Sequence, residues 1–254
     1  MLTMLFLIGL LAATQASAVS NPETDALSDE VSGNPPQKIV CFGDSITFGY
    51  KLENRAEESY PALLEKKLDE KYGAGAFEVV NEGISGQDTR QGLARLGALL
   101  EKHAPAWVLV QYGTNDLWTS RSMTARDSDA NLREMVRVMK AQGVSVVLAT
   151  LPPVWGFDKK VAEINAVIKA IAIEEDLPLA DLNPSLTSAM SQSGPLTDRN
   201  TWFEYYFWSS DDEGVHPNVK GYEVLVRTCF RTLSVSYTHL RAHETVLDIV
   251  CRLL

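Results

Sequence analysis

Positive charge is in short supply in this chain. Lys and Arg number 23 against 33 Asp and Glu, leaving a formal charge of −10. No cluster of Lys and Arg interrupts the acidic balance, which argues against a nucleic-acid partner, because phosphate binding needs grouped cations. Cysteine is scarce as well. Cys41, Cys229 and Cys251 are too few for a disulfide framework. Cys41 sits in an apolar strand and reads as a small buried hydrophobe. A Cys41–Cys229 bridge is the open alternative in an oxidising compartment. The chain has no His/Cys cluster with metal-ligand spacing, so neither a metal nor another cofactor is expected. It also has no phosphate-binding G-x-x-x-x-G-K-[ST] loop and no G-x-S-x-G elbow, which argues against nucleotide chemistry and against the α/β-hydrolase arrangement.

The ends of the chain stand apart from the rest. Leu2 to Leu11 is an apolar run of signal-peptide length, too short for a comfortable membrane span, and Ala16-Ser17-Ala18 follows as a small-residue cleavage site. The segment before the run has no Lys or Arg, so an uncleaved anchor is the alternative. Either reading favours export, to a secreted or periplasmic location. Residues 19–37 are rich in Ser, Asp, Glu, Asn and Pro and form a flexible leader. At the other end, residues 236–254 resemble the translation of a sequencing-adapter sequence, and so are set aside from fold reasoning. A genuine amphipathic helix is the alternative there. His239 and His243 fall inside this tail, leaving His103 and His216 as candidates for chemistry.

Between the ends, short β-rich runs alternate with helical stretches. Strands are expected at Lys38–Phe42, Phe77–Asn81, Trp107–Tyr112, Val144–Thr150 and Leu179–Leu182. Helices are expected at Glu57–Tyr72, Thr89–His103, Asp127–Gln142, Lys159–Glu175 and Pro217–Leu233. Gly73, Pro105 and Gly143 mark helix ends. Such alternation predicts βαβ units, and hence an α/β domain over 38–234 with a parallel sheet of about five strands. Its active site should lie beyond the carboxyl ends of the strands.

The candidate residues fall at those ends. Gly43-Asp44-Ser45 closes the first strand, where a serine at a helix start meets backbone N–H groups that favour negative charge. Taken alone, the tripeptide fits a simple helix cap equally well. Gly86, in Asn81-Glu82-Gly83-Ile84-Ser85-Gly86, follows the second strand and is either a bare N–H donor or a turn glycine. Asn115, in Gly113-Thr114-Asn115-Asp116, follows the third strand; its amide suits an oxyanion, or a loop. Last comes Asp212-Glu213-Gly214-Val215-His216-Pro217. A histidine preceded by carboxylates can act as a base with an acid to orient it. Trp202, Tyr205 and Tyr206 belong to a dense aromatic run just upstream. Together with Trp118 and Trp155 they are candidates for a substrate wall, or for a loop's own small core.

In their order and spacing, "FGDSITFG", "NEGISGQDT", "GTND" and "EGVHPN" resemble the four blocks of the SGNH (GDSL-type) hydrolase family. The stretch GISGQDTRQGLARLGALLEKHAPAWVLVQYGTND is most similar to its lysophospholipase L1/arylesterase-type branch. The likeness spans about Ile39 to Leu233. It implies a three-layer α/β/α flavodoxin-like fold and a serine esterase acting on carboxylic esters. The substrate would be a short-chain or lysophospholipid ester, or an acetylated carbohydrate. It further implies Ser45 as nucleophile, His216 as base, and Ser45, Gly86 and Asn115 as oxyanion donors. The family's acid lies three residues before the histidine, usually as Asp. Glu213 holds that position here, and Asp212 is adjacent. A non-catalytic carbohydrate-binding protein on the same fold is the rival reading. Oligomeric state is not legible in the sequence.

Overall fold

The computed structural model describes residues 36–192, 205–208 and 214–253, with side chains described through residue 239. The signal-peptide segment and nearly all of the leader lie outside that range, as do Trp202, Asp212 and Glu213.

The elements run in chain order as follows. Strand β1 (Gln37–Gly43) leads into the four-residue helix α1 (Ser45–Phe48), then α2 (Arg55–Glu58) and α3 (Tyr60–Tyr72). Next come β2 (Phe77–Gly83), α4 (Thr89–His103), β3 (Trp107–Gln111), α5 (Ala125–Ala141) and β4 (Ser145–Ala149). The domain closes with α6 (Asp158–Glu174), β5 (Leu179–Ala180), α7 (Leu182–Gln192) and α8 (Val219–Leu253).

All four strand pairings are parallel, in the order β2-β1-β3-β4-β5. Successive side chains on a strand face opposite sides, so the sheet fills two cores. Ile39 and Cys41 of β1, with Trp107 and Leu109 of β3, pack with residues of α3, α7 and α8. Val40, Phe42, Val108 and Val110 pack with residues of α4, α5 and α6 on the other face. This is the three-layer α/β/α architecture. Strands buried on both faces read as near-continuous apolar runs, and β3 (WVLVQ), apolar but for Gln111, is buried at every position.

Local signals account for the helix boundaries. Asp88 and Gln91 form a capping box at the start of α4, and Thr124 and Asp127 form another at α5. The largest departures from the sequence expectation lie late in the chain. Strand β5 has only two residues, and Leu182 opens a helix instead of ending a strand. Helix α8 begins at Val219 and continues to Leu253. Pro217 lies before it, bridged antiparallel to Phe207. Within α8, Tyr237 packs edge-on against Tyr72 and Phe77, with centroids 5.2 and 5.1 Å apart. Cys41 and Cys229 are both buried and both free.

The strand order reverses direction at β1. The chain moves from β1 out to β2, then returns past β1 to β3. Ligands of open α/β sheets bind at such a switch point, beyond the carboxyl ends. Ser45 follows β1, Gly86 follows β2 and Asn115 follows β3, so all three leave the sheet at that edge.

Candidate active site

The turn after β1 is held from several sides. Asp44 Oδ1 accepts the Ile46 N–H at 2.9 Å and caps α1. Tyr222 Oη of α8 donates to the Ile46 carbonyl at 2.7 Å. Thr47 Oγ1 lies 3.0 Å from Tyr60 Oη of α3. Gly83 permits the close approach of α1 to the end of β2, because a Cβ there would stand 2.1 Å from Phe48 N. Ser45 is therefore the first helical residue of a pinned turn.

His216 meets it from the far end of the chain. His216 Nε2 lies 2.8 Å from Ser45 Oγ. A short antiparallel contact fixes the histidine backbone: Trp208 N–H donates to His216 O at 3.0 Å, and Asn218 N–H donates to Tyr206 O at 2.9 Å. The ring of Tyr50 packs on the imidazole at 4.7 Å between centroids and remains 42% exposed. No local pattern marks Tyr50, which is simply an aromatic residue beyond the helix-ending Gly49.

The three candidate donors are each held by their own local contacts. Ser45 N–H opens a helix and has no intrahelical acceptor. Gly86 takes φ +80, a conformation that favours glycine. Its carbonyl accepts Arg121 Nη2 at 2.7 Å, which fixes the peptide. Asn115 is 9% exposed, and its Nδ2 donates to Gln87 O at 3.0 Å. One N–H of that amide is thus anchored on the residue after Gly86, and the amide carries a second N–H.

Buried carboxyls brace these loops. Asp116 accepts Thr89 N–H at 2.9 Å, Thr89 Oγ1 at 2.6 Å and Ser128 Oγ at 2.7 Å. Burial raises its pKa against those hydrogen bonds. Burial also pushes Asp44 up to about 7, opposed by the Ile46 amide and by Thr114. The helix-cap reading of Asp44 is local and holds, whereas the accepting role of Asp116 depends on partners 12 and 27 residues away, which no local pattern reveals.

The aromatic candidates divide. Trp155 N–H donates to Gly214 O at 3.4 Å, beside the histidine loop. Trp118 lies three residues past Asn115 and stacks edge-on with Phe157 at 4.6 Å. Tyr205 lies beneath Lys220 Nζ at 3.7 Å, and Tyr206 Oη donates to Ala189 O of α7 at 3.3 Å. Those contacts of Tyr205 and Tyr206 face the last helix and α7. Among the described residues no group of three His, Cys, Asp or Glu side chains could hold a metal ion.

The GDSL-like lipase/acylhydrolase family model matches residues 41–224. The chain belongs to this family. Thioesterase 1/protease 1/lysophospholipase L1 of Escherichia coli (strain K12) is 32% identical over 181 residues, covering 71% of this chain and 75% of that protein. An acetylxylan esterase of Geobacillus stearothermophilus is 24% identical over 225 residues, covering 81% of this chain and 97% of that one. The crystal structure of TesA superposes with a TM-score of 0.60 at 30% identity, covering 78% of this chain and 98% of the other. This GDSL-like acylhydrolase is accordingly a carboxylic-ester hydrolase on the SGNH fold. No helix among its described residues is long and apolar enough to cross a membrane.

Proposed function

We propose that this esterase works by a serine acyl-enzyme mechanism, with Ser45 as nucleophile and His216 as general base. The observation that carries the reading is the 2.8 Å contact between His216 Nε2 and Ser45 Oγ. In this reading His216 takes the Ser45 proton as Oγ attacks the ester carbonyl carbon. The carbonyl oxygen becomes an oxyanion facing Ser45 N–H, Gly86 N–H and Asn115 Nδ2. Each such donor supports the transition state by about 3 kcal/mol. His216, now charged, passes its proton to the leaving alcohol. Water repeats the cycle on the acyl-enzyme and frees the acid. Glu213 orients the imidazole, from the position three residues before it, and Asp212 is the competing acid.

The substrate class we propose is a short-chain acyl or lysophospholipid ester. The 32% identity to a thioesterase/lysophospholipase supports it. An acetylated carbohydrate is the second reading, supported by the acetylxylan esterase relative and by Tyr50, an exposed ring beside the base that suits a sugar face. The contact between serine and histidine favours catalysis over carbohydrate binding alone. Export through the N-terminal apolar segment belongs to the same proposal.

A panel of p-nitrophenyl esters, lysophospholipids and acetylated xylo-oligosaccharides tests it. Turnover of short acyl esters above that of acetylated sugars is expected. Turnover confined to acetylated sugars would assign the second reading, and saturable binding with no turnover of any of them would contradict the proposal.

A further inference from the structure

We infer that Arg95 is a positioning residue for the oxyanion hole, acting through the carbonyls and side chains that carry its donors. The inference rests on the esterase reading above. Arg95 lies on α4, far in sequence from Ser45 and Asn115, yet its guanidinium reaches the carboxyl edge of the sheet.

There it meets every segment that supplies a donor. Nε donates to Gln87 Oε1 at 2.8 Å. Nη2 donates to Glu82 O at 2.6 Å, to Tyr112 Oη at 2.8 Å and to Gly43 O at 3.4 Å. Nη1 pairs with Glu82 Oε2 at 3.2 Å. Tyr112 Oη in turn donates to Gln87 Oε1 at 2.9 Å. Gly43 is two residues before Ser45. Gln87 follows Gly86, and its carbonyl holds the Asn115 amide at 3.0 Å. Tyr112 is three residues before Asn115. One rigid fork therefore ties the ends of β1, β2 and β3 to the Gly86 loop.

The surroundings favour this clasp over a surface ion pair. The Arg95 and Glu82 side chains are only 18% and 19% exposed, so their contacts are not diluted by water as an exposed pair's would be. The guanidinium also lies 4.4 Å from the Phe42 ring centroid. Gly92, one helical turn earlier, makes room for the Tyr112 ring: a Cβ there would come within 2.7 Å of it. Glu82 is itself held by Lys102 at 2.9 Å and His103 at 2.7 Å. Burial pushes the Glu82 carboxyl up, but these two groups outweigh it and its pKa falls below the usual value. One cation that engages the strand-end carbonyls of Gly43 and Glu82 holds the loops that carry the donors in one arrangement.

Arg95→Gln and Arg95→Lys test the role. A lysine keeps the charge but cannot span the three strand ends, so it should restore folding without restoring catalysis. In either variant, kcat for a p-nitrophenyl ester per folded molecule should fall on the order of 10-fold or more with KM nearly unchanged. In an Asn115→Ala background the same change should cost far less, because both act through one device. Amide hydrogen exchange across residues 84–88 should also rise in Arg95→Gln, a readout that needs no activity. Unchanged kcat with a lowered melting temperature alone, fully multiplicative effects with Asn115→Ala, or unchanged exchange at 84–88 would overturn the inference. A wild type that hydrolyses no ester would instead count against the proposed function, while the exchange measurement still decides the role of Arg95.

Discussion

Asn115 Nδ2 donates to the backbone carbonyl of Gln87 across a separation of 28 residues, at 3.0 Å. This bond joins the loop after β3 to the loop after β2. It ties the Asn115 side-chain amide to the residue that follows Gly86. Parallel strands on either side of β1 make that contact possible, because all of their carboxyl ends leave the sheet together.

The amide is therefore expected to act in the transition state more than in substrate binding. Asn115→Ala should lower kcat by about 10²-fold to 10³-fold with little change in KM. Steady-state kinetics on a soluble ester checks this. A change confined to KM would reduce Asn115 to a substrate contact.

Asp44 predicts a pH effect on stability. Its carboxyl is held up to about 7 in the folded protein, against 3.8 when unperturbed. As pH rises through this interval the unfolded chain gives up the proton first. The folded state keeps its proton until about pH 7, so this group lowers stability progressively between about pH 4 and 7, and the penalty is complete once the buried carboxyl itself ionises above that range. Asp44→Asn keeps an acceptor for Ile46 N–H but cannot ionise. Thermal melts from pH 4 to 8 should show the variant gaining stability relative to wild type as pH rises. A constant difference across that range would contradict the assignment.

The carboxylate that orients His216 is expected to be Glu213. The expectation rests on spacing, because Glu213 holds the position three residues before the histidine, with Asp212 as the competing acid. Glu213→Gln should lower kcat on the order of 10²-fold to 10⁴-fold, and Asp212→Asn should be mild. The reverse ranking would hand the role to Asp212.

Residues 236–254 are read as foreign sequence, yet Tyr237 packs on Tyr72 and Phe77. Two truncations separate these facts. A chain ending at Thr238 should match the full chain in melting temperature and turnover. One ending at Leu233 loses two aromatic pairs, each worth about 1 kcal/mol, and should melt a few degrees lower with its turnover intact. Unfolding of the longer truncation would show that the rest of the helix is integral to the domain.

How much of this was legible follows from where the information lies. Strands such as β3 are apolar but for Gln111 because both faces are buried, so composition alone exposes them. Capped helices such as α4 announce themselves through Asp88 and Gln91. Helix α7 does not: Pro184 and its Ser and Thr residues resemble a loop, and only burial of Leu182, Leu186 and Met190 against the core makes it a helix. In the site, Ser45, Gly86 and Asn115 follow the expected strand ends, and His216 lies in the expected loop before the last helix. Arg95 was illegible. On α4 it is one basic residue of an amphipathic helix, and its partners come from three strand ends and a loop. Tyr50 was hidden for the same reason, since its contact is with a residue at the opposite end of the domain.

Covalent labelling with a fluorophosphonate measures the central claim most directly, read alongside ester turnover for wild type, Ser45→Ala and His216→Ala. Wild type should take up one equivalent and lose activity in step. Ser45→Ala should take up none and retain its fold, with kcat reduced by on the order of 10³-fold or more. His216→Ala should label far more slowly. Undiminished labelling or turnover in Ser45→Ala would contradict the account.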